Sequence, residues 1–120
     1  TERATAYARW SNAMKIQVNT DHHIHNDERL QEYVETTVTG TLDRFRDQVT
    51  RVEVHLSDEN GSERGGADDK RCMMEVRVEG QAPSAVTHHA ATVREAIDGA
   101  ANKLERVLDH VFGKARSHRR

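Results

Sequence analysis

The 120-residue sequence is poor in aromatic and apolar material: aromatic residues make up 4% of it and hydrophobic residues 35%, against 32% charged. That scarcity excludes a thick core built on large rings and leaves a thin aliphatic one, the kind needed by a single sheet covered on one face. Cysteine occurs once, at Cys72, so no internal disulfide can form and a reducing compartment is expected. No apolar run approaches the length of a signal segment or a membrane span, so a cytoplasmic location with no membrane partner is expected. Charge of one sign is lacking as well. The 18 Lys plus Arg against 20 Asp plus Glu leave a net charge of -2, which argues against a protein basic throughout. Gly-rich phosphate cradles, Gly-x-Ser-x-Gly elbows and carboxylate pairs isolated in apolar surroundings are missing too, so neither an enzyme, a small-molecule substrate nor a cofactor is expected.

What is present is periodic. Residues 92–112 repeat apolar side chains at Val93, Ala96, Ile97, Ala100, Ala101, Leu104, Val107, Leu108 and Val111, the three-and-four spacing of a helix with one buried face. Thr92 followed by Glu95 reads as a capping box, and Gly113 as the residue that ends the helix in a left-handed conformation. Residues 27–47 carry a second such pattern, with Leu30, Tyr33, Val34, Val38, Leu42 and Phe45 on one face and Asn26 or Asp27 as the cap. Gly40 weakens that helix by about 1 kcal/mol relative to Ala, and the nearby threonines add little propensity, so packing must hold it.

Alternation of apolar and polar residues marks strands at 14–19 (Met14, Ile16 and Val18 inward), 51–57 (Val52, Val54 and Leu56), 70–79 (Cys72, Met74, Val76 and Val78) and 85–89. The polar stretch 58–69 reads as a mobile loop. Ser11-Asn12-Ala13 before Met14 resembles the scar of a cleaved expression tag. Residues 1–13 are therefore set apart from a domain expected over 14–113 and a basic tail over 114–120. The order gives an α+β fold, β-α-β-β-β-α: a four-stranded mixed sheet with two helices packed on one face. The other face is solvated by Arg51, Glu53, His55, Arg71, Glu75 and Arg77.

Eight histidines invite a metal reading, and His22, His23 and His25 could converge with His88 and His89. A structural zinc site, however, wants a fixed tetrahedron, usually with cysteines, and the single thiol is expected to face inward from mid-strand. Neighbouring strand histidines also point to opposite faces. No metal is expected, and Cys72 reads as a buried structural thiol, not a nucleophile. The loop from Asp58 resembles a calcium loop only superficially, because Gly61 falls at the fourth position and not the sixth.

The remaining signal is the distribution of charge. From Lys103 to Arg120, Lys103, Arg106, Lys114, Arg116, Arg119 and Arg120 stand against Glu105 and Asp109, a local balance of +4. From Asp58 to Asp69 the balance is -4, from five acidic residues and one basic. Cations at a helix C-terminus are favourable for ordinary reasons, but the basic end also makes a candidate RNA contact. Without aromatic stacking platforms the available mode is phosphate and shape contact, not base reading.

Several pieces then fall into a known order. These are Arg29-Leu30-Gln31-Glu32-Tyr33-Val34 and Leu42-Asp43-Arg44-Phe45 in the first helix, Val52-Glu53-Val54-His55-Leu56-Ser57 in the second strand, and Ala96-Ile97-Asp98-Gly99 with Lys103-Leu104-Glu105-Arg106 in the last helix. In these residues the chain from Met14 to about Gly113 resembles the ribosome hibernation promoting factor and ribosome-associated inhibitor family, also called sigma-54 modulation proteins, in its short form. The resemblance implies the same topology and no enzymatic activity. It implies binding to the small ribosomal subunit and its 16S rRNA in the channel for messenger and transfer RNA, which silences translation. It also implies that Lys103, Arg106, His110 and Lys114 face the RNA, and that the chain lacks the dimerisation domain of long members. Two departures are visible. Gln31, Thr37 and Thr41 stand near positions that tend to be basic in the family, and residues 27–47 sum to -3, from Arg29, Arg44 and Arg46 against Asp27, Glu28, Glu32, Glu35, Asp43 and Asp47. The last helix and tail are left to supply most of any grip on RNA. The alternative is a diverged regulatory module of the same fold that binds another protein.

Overall fold

The computed structural model describes residues 14–59 and 69–118, with side chains described as far as Gly113. The expected tag 1–13, loop residues 60–68, Arg119 and Arg120 lie outside the described residues, as do the side chains of Lys114 and Arg116. The elements are β1 (Lys15–Thr20), α1 (Glu28–Thr41), a 3-10 turn (Asp43–Phe45), β2 (Val49–Asp58), β3 (Lys70–Val78), β4 (Ser84–Ala90) and α2 (Val93–His118).

The strands lie in the order β1-β2-β3-β4. β1 and β2 run parallel, with Ile16 beside Val52 and Val18 beside Val54; parallel neighbours need a crossover, and α1 supplies it. The other pairs are antiparallel, with Val54 opposite Met74 and Leu56 opposite Cys72, then Met74 opposite Val86. This register gathers Val52, Val54, Leu56, Cys72, Met74 and Val76 on one face, where all are buried in one cluster with Val34 and Val38 of α1 and Ile97, Leu104 and Leu108 of α2. The fold is the expected one, a mixed four-stranded sheet with both helices on one side. Burying a Leu, Val or Met side chain here contributes about 1.5–3 kcal/mol.

Asp27 caps α1 from an extended backbone and accepts the Leu30 N–H at 2.9 Å. The helix stops at Thr41, short of the expected 47. The chain tightens instead into the 3-10 turn, which keeps Leu42 and Phe45 buried while releasing the weak run around Gly40 from further helix. α2 departs in the other direction. Thr92 starts it by accepting the Glu95 N–H at 3.1 Å, and the Thr92 hydroxyl donates to the Glu95 carboxylate at 3.1 Å. Gly113 does not end it. Among the described glycines only Gly80 has a positive φ, and the helix runs through Gly113 to His118. Lys114 and Arg116 therefore belong to the helix, not to a tail.

A second glycine has the opposite role. His88 lies across from inward-facing Cys72, so its ring points at α2, and a Cβ built on Gly99 would collide with that ring. Gly99 lets the helix backbone close on β4. At the other end of the sheet Asp21 ties the β1–α1 connection to β2: its carboxylate accepts the backbone N–H of Asp58 and of His23, each at 3.0 Å. Burial pushes the Asp21 carboxyl up, but these backbone donors outweigh it and hold the group below its ordinary value.

Two glycine substitutions should therefore move stability in opposite directions. Gly40→Ala, whose Cβ meets nothing within 4 Å, should stabilise by roughly 0.5–1 kcal/mol. Gly99→Ala should destabilise by roughly 1–3 kcal/mol through overpacking, with much of the loss recovered when His88→Ala accompanies it. Urea unfolding of the variants measures both. For Asp21, a lowered folded pKa means stability that is present above the ordinary value of 3.8 and lost as pH falls through the folded value. Asp21→Asn should be less stable than the parent at neutral pH, with the gap between their urea midpoints closing in acid.

Candidate nucleic-acid interface

The sequence of α2 mixes acids and bases, and the helix sorts them onto two flanks. On the flank toward α1, Asp109 receives Arg44 in a two-pronged pair at 2.6 and 2.7 Å, and Glu105 lies 3.4 Å from the same guanidinium. The bonds to Asp109, then Glu105, lift the Arg44 pKa further above its ordinary value, so the cation is fixed. Its guanidinium also lies 4.4 Å over the Phe45 ring, and Phe45 stacks on Phe112 at 5.5 Å. One helical turn and more before this, the Tyr33 hydroxyl donates to Asp98 at 2.6 Å. That bond, aided by burial, raises the Tyr33 pKa. Three acids of α2 are thus turned toward α1.

The flank toward β4 is basic. Lys103, Arg106 and His110 are exposed, and the i, i+3, i+7 spacing puts them in one stripe. Lys103 donates to the Thr87 carbonyl at 2.8 Å, which ties the helix to edge strand β4. Arg106 and His110 make no hydrogen bond or ion pair with any described residue. Because α2 continues past Gly113, Lys114 follows His110 by one more turn of helix. The structure thus brings Lys103, Arg106 and His110 together and continues the backbone through Lys114 and Arg116, while Arg119 and Arg120 fall outside the described residues.

α1 does not extend this stripe. Its exposed positions include Glu28, Gln31, Glu32, Thr36 and Thr39 beside the single cation Arg29, and Arg44 is engaged with the acids of α2. Among the described residues, Lys103, Arg106 and His110 form a stripe on α2 that α1 does not continue, and Arg29 and Arg94 lie apart from it at the first turns of the two helices.

The histidines are dispersed. The rings of His22 and His23 lie 4.0 Å apart, His25 is 3.9 Å from Asp27, His55 is 3.6 Å from Glu53, and His89 bonds Glu59 at 2.8 Å. Three or more His, Cys, Asp or Glu side chains do not gather into a possible metal site among the described residues. Cys72 is fully buried, and burial pushes its thiol up to about 12, far from a thiolate at neutral pH. Buried Asp69 holds Lys70 at 2.9 Å, and Asp58 lies 3.4 Å from the same amine. The bond to Lys70 keeps the Asp69 carboxyl low and the Lys70 ammonium charged. Among the described residues no helix is long and apolar enough to cross a membrane.

Sequence reasoning did not assign roles to Arg44, Gly99 or the Tyr33–Asp98 pair. Gly99 could have been found as a glycine inside a strongly periodic helix, which asks for a close neighbour. Nothing local to Arg44 announces partners 61 and 65 residues away.

The geometry has relatives. The structure resembles the Protein Y N-terminal domain of Thermus thermophilus, with a TM-score of 0.65 and 23% identity over 82% of this chain and 99% of that one. It also resembles a ribosomal subunit interface protein from Coxiella burnetii, with a TM-score of 0.67 and 16% identity over 83% of this chain and 99% of that one. At these identities the likeness establishes the fold. A sequence search among curated proteins finds no match. The model of the family described as Sigma 54 modulation protein / S30EA ribosomal protein matches residues 16–116, a span that takes in all but the first residue of β1 and the last two of α2 and includes the basic stripe. With that match running through almost the whole domain, the chain belongs to the sigma 54 modulation and S30EA ribosomal protein family.

Proposed function

We propose that this domain is a ribosome-associated hibernation factor that silences translation by occupancy. It docks on the small subunit through phosphate contacts to 16S rRNA and blocks the channel for messenger and transfer RNA, acting in the cytoplasm and without catalysis. The observation that carries this reading is the sorting of charge on α2. Among the described residues, Lys103, Arg106 and His110 have no acidic partner, and Glu105 and Asp109 are turned to Arg44. Lys114, Arg116, Arg119 and Arg120 extend the same basic end along the chain. Family membership and the printed name of the Coxiella relative, a ribosomal subunit interface protein, point the same way. A row of basic side chains, with no exposed Phe, Tyr or Trp ring among the described residues, suits a fixed RNA shape, where phosphates position the protein and no base is read.

A second reading is favoured by the acidic outer face of α1, where Glu28 and Glu32 are exposed. In that reading the fold is kept and the partner is a protein.

Co-sedimentation with 30S and 70S particles over a salt series separates the two. The parent chain should travel with ribosomes at low salt and be released steeply as salt rises. Lys103→Glu with Arg106→Glu should abolish or strongly weaken binding. Lys103→Ala with Arg106→Ala should lower the log–log salt slope by roughly one per phosphate contact removed. Absence from ribosomal fractions at low salt, with one protein recovered stoichiometrically in their place, would replace the first reading with the second.

A further inference from the structure

We propose that the open cleft between the first turns of α1 and α2 binds a nucleotide bearing a terminal phosphate monoester, at a site separate from the basic stripe. The cleft holds about 310 Å³, and Arg29, Leu30, Tyr33, Val93, Arg94 and Ile24 line it. That volume lies at the small end of the range for small-molecule sites, roughly 300–1,000 Å³.

Its walls divide by chemistry. Ile24, Leu30, Tyr33 and Val93 are partly buried apolar groups packed on the core, and they offer the face that a base or ribose can cover. The rim is cationic. Lys70 and Asp58 are also in the lining, where Asp58 and Asp69 both hold the Lys70 ammonium, so among the described residues the unpaired cations of the rim are the two guanidinium groups. Arg29 is exposed and makes no hydrogen bond or ion pair with any described residue. Arg94 lies 4.8 Å over the Tyr33 ring and makes no hydrogen bond or ion pair with any described residue. A guanidinium presented this way suits the two-pronged recognition of a phosphate. His23 and His25 complete the rim.

The helix ends are not what makes the site. Asp27 and Thr92 already accept the N–H groups of Leu30 and Glu95. The combination of a ring-sized apolar floor with two unneutralised guanidinium groups is what selects the ligand: a bare phosphate would leave the floor uncovered, and an uncharged nucleoside would leave both arginines unused. Arg94 precedes Lys103 by nine residues, about 13 Å along the helix, so the cleft and the stripe can be disabled independently.

Titration calorimetry of the full chain, with AMP, adenosine and inorganic phosphate as probes, tests the site. AMP should bind saturably at one site per chain, and adenosine and phosphate should each bind at least roughly tenfold more weakly. Arg29→Gln and Arg94→Gln should each weaken AMP by roughly tenfold, the loss of a charge-assisted contact, without changing ribosome co-sedimentation. Arg106→Gln should leave AMP binding intact. Two tetranucleotides, one with a 5′ phosphate and one with a 5′ hydroxyl, identify the source of the ligand. Competition by the phosphorylated one alone supports the site as a reader of RNA ends, and competition by neither supports it as a site for free nucleotides. Three results would each overturn the proposal: no saturable AMP binding at millimolar concentration, AMP binding unchanged in the folded Arg29→Gln, Arg94→Gln double variant, or phosphate binding as tightly as AMP.

Discussion

The pairing of Arg44 with Asp109 and Glu105 is the interaction on which the domain's charge distribution depends. A helix whose sequence alternates acids and bases would present a neutral mixture to solvent if its faces were equivalent. Here the fork of one guanidinium draws two acids toward α1, and the Tyr33 hydroxyl holds a third at Asp98. Lys103, Arg106 and His110 are left on the opposite flank, beside β4. Arg44 and Asp109 are about half exposed and Glu105 about a third, so the pairing adds little to stability after solvent screening. Its consequence is in where the positive potential lies.

The sorting works because the thin core fixes the rotation of α2 about its axis. Ala96, Ile97, Ala100, Ala101, Leu104 and Leu108 are all buried, and three of these six are alanines, so the helix lies close to the sheet. Gly99 brings it closer still, against the His88 ring. Once that face is set, the flank positions follow from helical geometry: acids meet Arg44 on one side, and Lys103 reaches the Thr87 carbonyl on the other. Packing, electrostatics and the proposed RNA contact are therefore consequences of one helix orientation.

Much of this was legible in the sequence. Strict alternation in Val52-Glu53-Val54-His55-Leu56, and a looser one in Cys72-Met73-Met74-Glu75-Val76 where outward Met73 is apolar, declares strands whose inward residues are those found buried. The three-and-four spacing of Ile97, Ala101, Leu104 and Leu108 declares the buried face of α2. Helix ends were less legible. Gly113 looked like a stop, but a glycine ends a helix only where the chain needs a left-handed residue. Phe112, packed on Phe45, and the good helix formers Lys114, Ala115 and Arg116 carry the helix past it. At α1, Gly40 and the threonines end the α-helix sooner than the apolar pattern does. Least legible was the site. Local charge counting gives Lys103 to Arg120 a balance of +4, but it cannot say that the two acids in that count face a distant arginine. The cleft bearing Arg29 and Arg94 comes from residues 65 positions apart in a chain whose sheet brings both helix starts to one end.

A density map of the chain bound to the small ribosomal subunit tests the central claim most directly, because the account ties function to one flank of one helix. It predicts α2 against 16S rRNA in the channel for messenger and transfer RNA, with Lys103, Arg106 and His110 toward phosphates and the acidic face of α1 turned away. A map in which α1 or the open face of the sheet meets the rRNA, with the basic stripe in solvent, would contradict it.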